Sequence, residues 1–117
     1  MTTIYTYPGT PVLVFDNRFI RRFSGQFLYR FDGETLYAYS GTPLYRIRDG
    51  YIMRYSGQFL YRFDGETLYR YSGQPLYRYR EHIIAEYSGR FVFRIDGHLA
   101  NKELMALFVI ILEEGIN

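Results

Sequence analysis

The chain has 117 residues, no cysteine, and fourteen basic against twelve acidic side chains, for a formal charge of +2. That length suits one domain with its own core. The missing cysteines exclude disulfides and thiolate chemistry, and the balanced charge argues against nucleic acid as a partner.

The first ten residues, MTTIYTYPGT, lack the basic and apolar stretches of a secretory leader, so a cytoplasmic location is the expectation. From Gly9 onward a glycine returns every sixteen residues, at Gly25, Gly41, Gly57, Gly73 and Gly89. A regular repeat puts equivalent residues in equivalent environments. Five before each glycine stands an aliphatic residue (Ile4, Ile20, Leu36, Ile52, Leu68, Ile84) and two before it an aromatic (Tyr7, Phe23, Tyr39, Tyr55, Tyr71, Tyr87). Three after it comes a second aliphatic column, then Leu13, Tyr29, Tyr45, Tyr61, Tyr77 and Phe93, then Val14 followed by Arg30, Arg46, Arg62, Arg78 and Arg94.

A second turn signal, with Asp-Gly at its clearest, falls half a period away, so each unit reads as turn, strand, turn, strand. Six hairpins, or twelve strands, are predicted over residues 1–97. Pro11, Pro43 and Pro75 alternate with Phe27, Phe59 and Phe91, which overlays a thirty-two-residue period present three times. The segment SGQFLYRFDGETLY at 24–37 recurs unchanged at 56–69.

Residues 98–117 break the pattern and form the last element of what reads as a single domain, 1–117. Asn101 is the expected N-cap, Lys102 to Glu114 the expected helix, and Gly115 its left-handed stop. Leu104 to Leu112 are nine consecutive apolar residues, so this helix has no polar face and must be enclosed. A bilayer span needs about 20 such residues, which leaves protein as the enclosure.

A twelve-stranded antiparallel barrel with strands tilted by about 36° has a backbone diameter of roughly 22 Å. Inward side chains leave a bore close to the about 10–12 Å of a helix. The expected fold is therefore mainly β, with six hairpins closed around a C-terminal α-helix; a β-trefoil-like arrangement of the three double repeats is the alternative. Four-residue Ser-Gly loops and two-residue Asp-Gly loops give a register in which Leu36, Tyr45 and Ile47 share one face. Tyr37, Tyr39, Leu44 and Arg46 share the other. The first set is assigned to the core, because arginines around an apolar helix would be costly to desolvate. The same register sets Arg21 opposite Arg30, a like-charge pair.

The run ETLYAYSGTPLYRIRDGYIMRYSGQFLYRFDGETLYRYSGQPLYRYR resembles the bacterial beta-flower proteins over residues 4 to 97, through its recurring aromatic, Ser-Gly or Asp-Gly turn, proline and aliphatic-aromatic pair. That resemblance implies a hairpin-repeat domain with no established activity, and supplies no catalytic or binding residues. In element order alone the chain is also similar to Tubby-like barrels and phospholipid scramblases, which implies twelve strands around a hydrophobic C-terminal helix.

Nucleophile elbows, lysine-bearing phosphate loops and His-Glu zinc motifs are absent, and His82 and His98 are isolated, so neither an enzyme, a cofactor nor a metal site is expected. The binding candidates are Arg30, Arg46, Arg62, Arg78 and Arg94 with Tyr37 and Tyr69. Guanidinium groups at one height, interleaved with tyrosines, suit phosphate, sulfate or sugar. The structural reading of the same column stacks Arg46 on Tyr37 and Arg78 on Tyr69, and pairs the arginines with Asp32, Asp64 or Asp96. Asp16, Asp32, Asp64 and Asp96 themselves read as turn formers. The expected function is a non-enzymatic structural or interaction module for a protein or glycan ligand. The alternative is a membrane-surface module that binds anionic phospholipid. An open barrel would add edge-to-edge or face-to-face homo-oligomers.

Overall fold

The computed structural model describes residues 1–115. Twelve antiparallel strands close into one barrel: β1 (Thr2–Thr6), β2 (Pro11–Asp16), β3 (Phe19–Arg22), β4 (Phe27–Phe31), β5 (Thr35–Ala38), β6 (Pro43–Arg48), β7 (Tyr51–Arg54), β8 (Phe59–Phe63), β9 (Thr67–Arg70), β10 (Pro75–Arg80), β11 (Ile83–Glu86) and β12 (Phe91–Asp96). Each strand pairs with its sequence neighbours, and β1 closes the ring by pairing with β12, Ile4 opposite Ile95 and Tyr5 opposite Arg94. Closure in a single sheet excludes the trefoil arrangement and leaves no strand edge among the described residues for the edge-to-edge association of an open barrel.

The Ser-Gly turns are alike in every hairpin. Gly41 takes φ 109° and its N–H donates to the Ala38 carbonyl at 2.8 Å, and the other five turn glycines repeat both features. A residue with a Cβ is strained in that conformation, which explains the unbroken glycine column. The opposite turns differ from the expectation. Among the described residues, two-residue loops occur between β2 and β3, β6 and β7, and β10 and β11; between β4 and β5, and β8 and β9, the last pairs, Phe31 with Leu36 and Phe63 with Leu68, enclose four residues that start at Asp32 and Asp64. In these the Asp64 Oδ1 accepts the N–H groups of Glu66 and Thr67 at 2.9 and 2.7 Å, and Asp32 repeats the arrangement. The thirty-two-residue period is thus an alternation of loop types.

Each hairpin also carries a β-bulge that the sequence register lacks. Leu36 faces Tyr45 and Tyr37 faces Pro43, so Leu44 is the extra residue; Val12, Leu28, Leu60, Leu76 and Val92 hold the same place. Leu44, expected on the outer face with Tyr37, Tyr39 and Arg46, instead packs against the core, because a bulge turns two successive residues toward one side. The bulged carbonyls are satisfied in turn: Tyr39 N–H donates to Leu28 O at 2.9 Å, Tyr55 N–H to Leu44 O at 2.9 Å, and so around the ring. The bulge also removes the like-charge pair, since Arg21 faces Phe27 and Arg30 faces Phe19.

The predicted core columns do face inward, joined by the bulged residues. Leu36, Ile47, Ile4, Ile52, Leu68 and Ile84 are fully buried, with Tyr45 and Tyr61 nearly so. They surround α1 (Asn101–Val109), whose residues Leu104 to Val109 are all buried, and Phe108 packs against the rings of Phe63 and Tyr77. The helix begins one residue earlier than expected. Ala100 rather than Asn101 is its N-cap, because the Glu103 side chain accepts the Ala100 N–H at 2.8 Å. Its end differs as well. A π-helical turn, Ile110–Glu114, replaces the last α-helical turn, and Gly115 ends it at φ 77° with its N–H on the Ile110 carbonyl.

Candidate functional site

Antiparallel hairpins put all Ser-Gly turns at one end of the barrel and all Asp-Gly-type turns at the other. The helix enters at the Asp-Gly end, where the Asn101 side chain lies beside Gly65. It finishes at the Ser-Gly end, where its last acids meet tyrosine hydroxyls: Tyr45 donates to Glu114 at 2.7 Å, Tyr61 to Glu113 at 2.5 Å, and Tyr29 to Glu114 at 3.4 Å. Arg54 adds an ion pair to Glu113 at 3.2 Å. Burial first, and then the Glu114 carboxylate, pushes the Tyr29 hydroxyl up to about 12; burial and the hydrogen-bonded carboxylates raise Tyr45 and Tyr61 as well.

Ionic side chains divide between the same ends. Nine of the twelve acids (Asp16, Asp32, Glu34, Asp49, Asp64, Glu66, Glu81, Asp96 and Glu103) sit at the Asp-Gly end, with only Arg18, Arg48, Arg80 and Lys102 of the bases. The wall and the Ser-Gly end hold the other ten bases, all arginine, against Glu86, Glu113 and Glu114. The helix dipole runs with this division, its positive N-terminus toward the acids and its negative C-terminus toward the arginines.

The five candidate arginines lie on the outer wall, half-buried, one on each of β4, β6, β8, β10 and β12. Every guanidinium stacks on a tyrosine ring, in two alternating ways. Arg30, Arg62 and Arg94 lie over Tyr37, Tyr69 and Tyr5, their direct cross-strand partners, at 4.1, 4.3 and 4.3 Å from the ring centroid. Arg46 and Arg78 face Met53 and Ala85 in register and lean instead to the turn aromatics Tyr55 and Tyr87, both at 4.8 Å. The expected stacking of Arg46 on Tyr37 and of Arg78 on Tyr69 is therefore replaced. Those two tyrosines already hold Arg30 and Arg62 from the other side.

The expected pairing of these arginines with Asp32, Asp64 and Asp96 is also absent among the described residues. The ion pairs found are Arg48 with Glu34, Arg80 with Glu66, Arg90 with Glu86 and Arg54 with Glu113. Asp32 and Asp64 are committed to turn backbone. Arg30, Arg46, Arg62, Arg78 and Arg94 make no side-chain hydrogen bond or ion pair among the described residues, and the Nε of Arg78 is buried without a partner. A guanidinium has five N–H donors, and stacking uses only its face. The barrel does not gather the five into one pocket. They occupy every second strand, at intervals of about 10 Å along the hydrogen-bonding direction, and Val14 interrupts the girdle.

Sequence reasoning missed Tyr5, Tyr55 and Tyr87 as stacking partners, although two of the three stand in the aromatic column it singled out. It also missed three clusters that the turn aromatics form on the outer wall. Phe19, Phe27 and Tyr39 pack together with centroids 5.4–6.0 Å apart, Tyr51, Phe59 and Tyr71 at 5.0–5.9 Å, and Tyr7 with Phe91 at 5.0 Å. Comparison with protein-family models, with curated proteins and with solved structures finds no match to this chain.

Proposed function

We propose that the protein is a non-enzymatic binding module whose outer girdle of stacked arginines holds an anionic glycan. The supporting observation is that five guanidinium groups are fixed in place by tyrosine rings while their N–H donors engage no protein acceptor among the described residues. Donors placed in advance lose little side-chain entropy when a sulfate or carboxylate arrives. Their regular spacing suits a polymer with regularly spaced charge, each contact being weak and the sum appreciable. Half-exposed Tyr39, Tyr71 and Phe91 between the arginines give sugar rings an apolar face.

The test is titration with a sulfated polysaccharide and with its desulfated counterpart. The wild type should bind the sulfated chain saturably and lose affinity as salt rises. Arg46→Ala with Arg78→Ala should weaken binding at least tenfold with melting unchanged. Equal binding by the variant, or no binding by the wild type, overturns the reading.

A second reading, attachment to an anionic membrane surface, is favoured by the rim at the Ser-Gly end. There Tyr7, Phe23, Tyr39, Tyr55, Tyr71 and Tyr87 are 42–57 % exposed, near Arg22, Arg54 and Arg70. No helix among the described residues is long and apolar enough to cross a bilayer. Flotation with anionic vesicles separates the two readings, and retention in the aqueous fraction at low salt rejects this one.

A further inference from the structure

Besides Val14, the pseudo-threefold repetition of the wall breaks between β10, β11 and β12, and there it leaves a cavity. In the three double hairpins, Phe19, Tyr51 and Ile83 are equivalent, and so are Arg21, Met53 and Ala85. Phe19 and Tyr51 each complete a three-ring cluster with the neighbouring hairpin, whereas Ile83 leaves Tyr7 and Phe91 as a pair. Ala85, beside it, is shorter than either counterpart. The two truncations fall together, and between β10, β11 and β12 a cavity of about 250 Å³ opens, lined by Arg78, Ile83, Ala85, Glu86 and Phe91, with Arg80 and Glu81 also at its wall.

We propose that this cavity is a binding site for a small carboxylate with an apolar body of about one ring. Size sets the first limit, since sites for drug-sized ligands have about 300–1,000 Å³ and this one is smaller. The lining sets the rest. Ile83, Ala85 and Phe91 offer apolar surface. Of the charged groups around them, Arg80 is paired with Glu66 at 2.7 Å and Glu86 with Arg90 at 2.8 Å. Arg78 has no such partner among the described residues; it rests on Tyr87, and its Nε is buried without an acceptor. The Nε itself is closed to solvent, so an oxyanion in the cavity would be taken by the terminal N–H groups of the same guanidinium, which engage no protein acceptor among the described residues. One uncommitted guanidinium calls for one oxyanion, and Glu81 at the wall disfavours a second negative charge on the ligand. At Arg46, its counterpart thirty-two residues earlier, the larger Tyr51 and Met53 hold the positions of Ile83 and Ala85.

This inference does not rest on the glycan reading, because a polymer lying across the girdle needs no cavity. The repeat also supplies a substitution already accommodated by this fold. Ile83→Tyr with Ala85→Met copies the side chains of the equivalent hairpin, closes the cavity and retains Arg78. Benzoate is the probe, with benzyl alcohol as its uncharged control, followed by NMR at the Ala85 methyl group and at Ile83. The wild type should show saturable shifts with benzoate at millimolar concentration and at least tenfold weaker binding of the alcohol. The filled variant should lose benzoate binding at least tenfold while its melting and its binding of the sulfated polysaccharide stay the same. Conversely, Tyr51→Ile with Met53→Ala should create a second benzoate site beside Arg46. Absence of saturable shifts in the wild type, or undiminished benzoate binding by the filled variant, overturns the proposal.

Discussion

At the Asp-Gly end the chain is fastened mostly through its own backbone: aspartates grip turn N–H groups, two-residue loops turn the strands tightly, and Glu103 closes the helix start on Ala100. At the Ser-Gly end the strand turns are equally regular, but the helix is fastened by side chains, with Tyr29, Tyr45 and Tyr61 converging on Glu113 and Glu114. The difference follows from where the polar groups fall. A helix start presents N–H groups that a carboxylate can take locally, whereas a helix end presents carbonyls, and here two acids beyond the apolar run need donors from the surrounding wall. Four of the six repeats place a tyrosine at that height (Tyr29, Tyr45, Tyr61 and Tyr77), and the π-helical turn sets both acids within reach of the first three.

The largest effect should come from removing what joins the two ends. A chain ending at Ala100 loses the six fully enclosed helix side chains from Leu104 to Val109, each worth about 1.5–3 kcal/mol in burial for the larger ones. It is expected to aggregate, and size-exclusion chromatography showing a monomer with a cooperative melt would contradict the enclosed-helix account.

A smaller loss is expected when only the Ser-Gly end is loosened. Glu113→Ala with Glu114→Ala leaves nearly buried tyrosine hydroxyls without their acceptors, and about 2 kcal/mol is expected from charged hydrogen bonds at a partly exposed site. Thermal melting should fall by several degrees, while Glu34→Ala, which breaks an exposed pair at the other end, should change it little. The same end should also govern alkaline behaviour. A tyrosine whose folded pKa is raised adds stability that is fully present below its ordinary value of about 10 and is lost as pH rises through the folded value. For Tyr29 that window runs from about 10 to about 12. The tyrosinate absorbance contributed by Tyr29, Tyr45 and Tyr61, read as the difference between wild type and their phenylalanine variants, should therefore rise well above 10 and together with unfolding. A rise of that difference signal near 10, before unfolding, contradicts this.

The smallest effect belongs to the Asp-Gly end. The Thr67 and Glu66 backbone N–H groups hold the Asp64 carboxyl below its ordinary range. Its contribution is thus complete above that range and lost as pH falls through the lowered folded value. Asp64→Ala should cost about 1 kcal/mol at neutral pH, and denaturant midpoints of wild type and variant should converge in acid. Midpoints that stay apart at low pH would place the effect elsewhere.

Much of this was legible in the sequence because a repeat gives six readings of each environment. The glycine column marked the Ser-Gly turns, the aliphatic column marked the core, and nine apolar residues in a row required an enclosed helix. The bulge was not legible: Leu44 and Tyr45 are both apolar in bulk, and a strict two-residue alternation sends one of them outward. The stacking partners of Arg46 and Arg78 depend on that bulge and on the alternating loops, so they were misassigned with it. Ile83 and Ala85 carried no signal, since a small side chain becomes a cavity only once its neighbours are known. What had to be read was the difference between copies rather than their likeness.

Pairing of β12 with β1 makes the number of hairpins an all-or-none quantity. One more sixteen-residue unit would add two strands and widen the ring by about 4 Å, and a single helix would then rattle in the bore; one fewer would leave no room for it. The central rod is then a gauge, accepting a wall of one circumference and no longer or shorter ring.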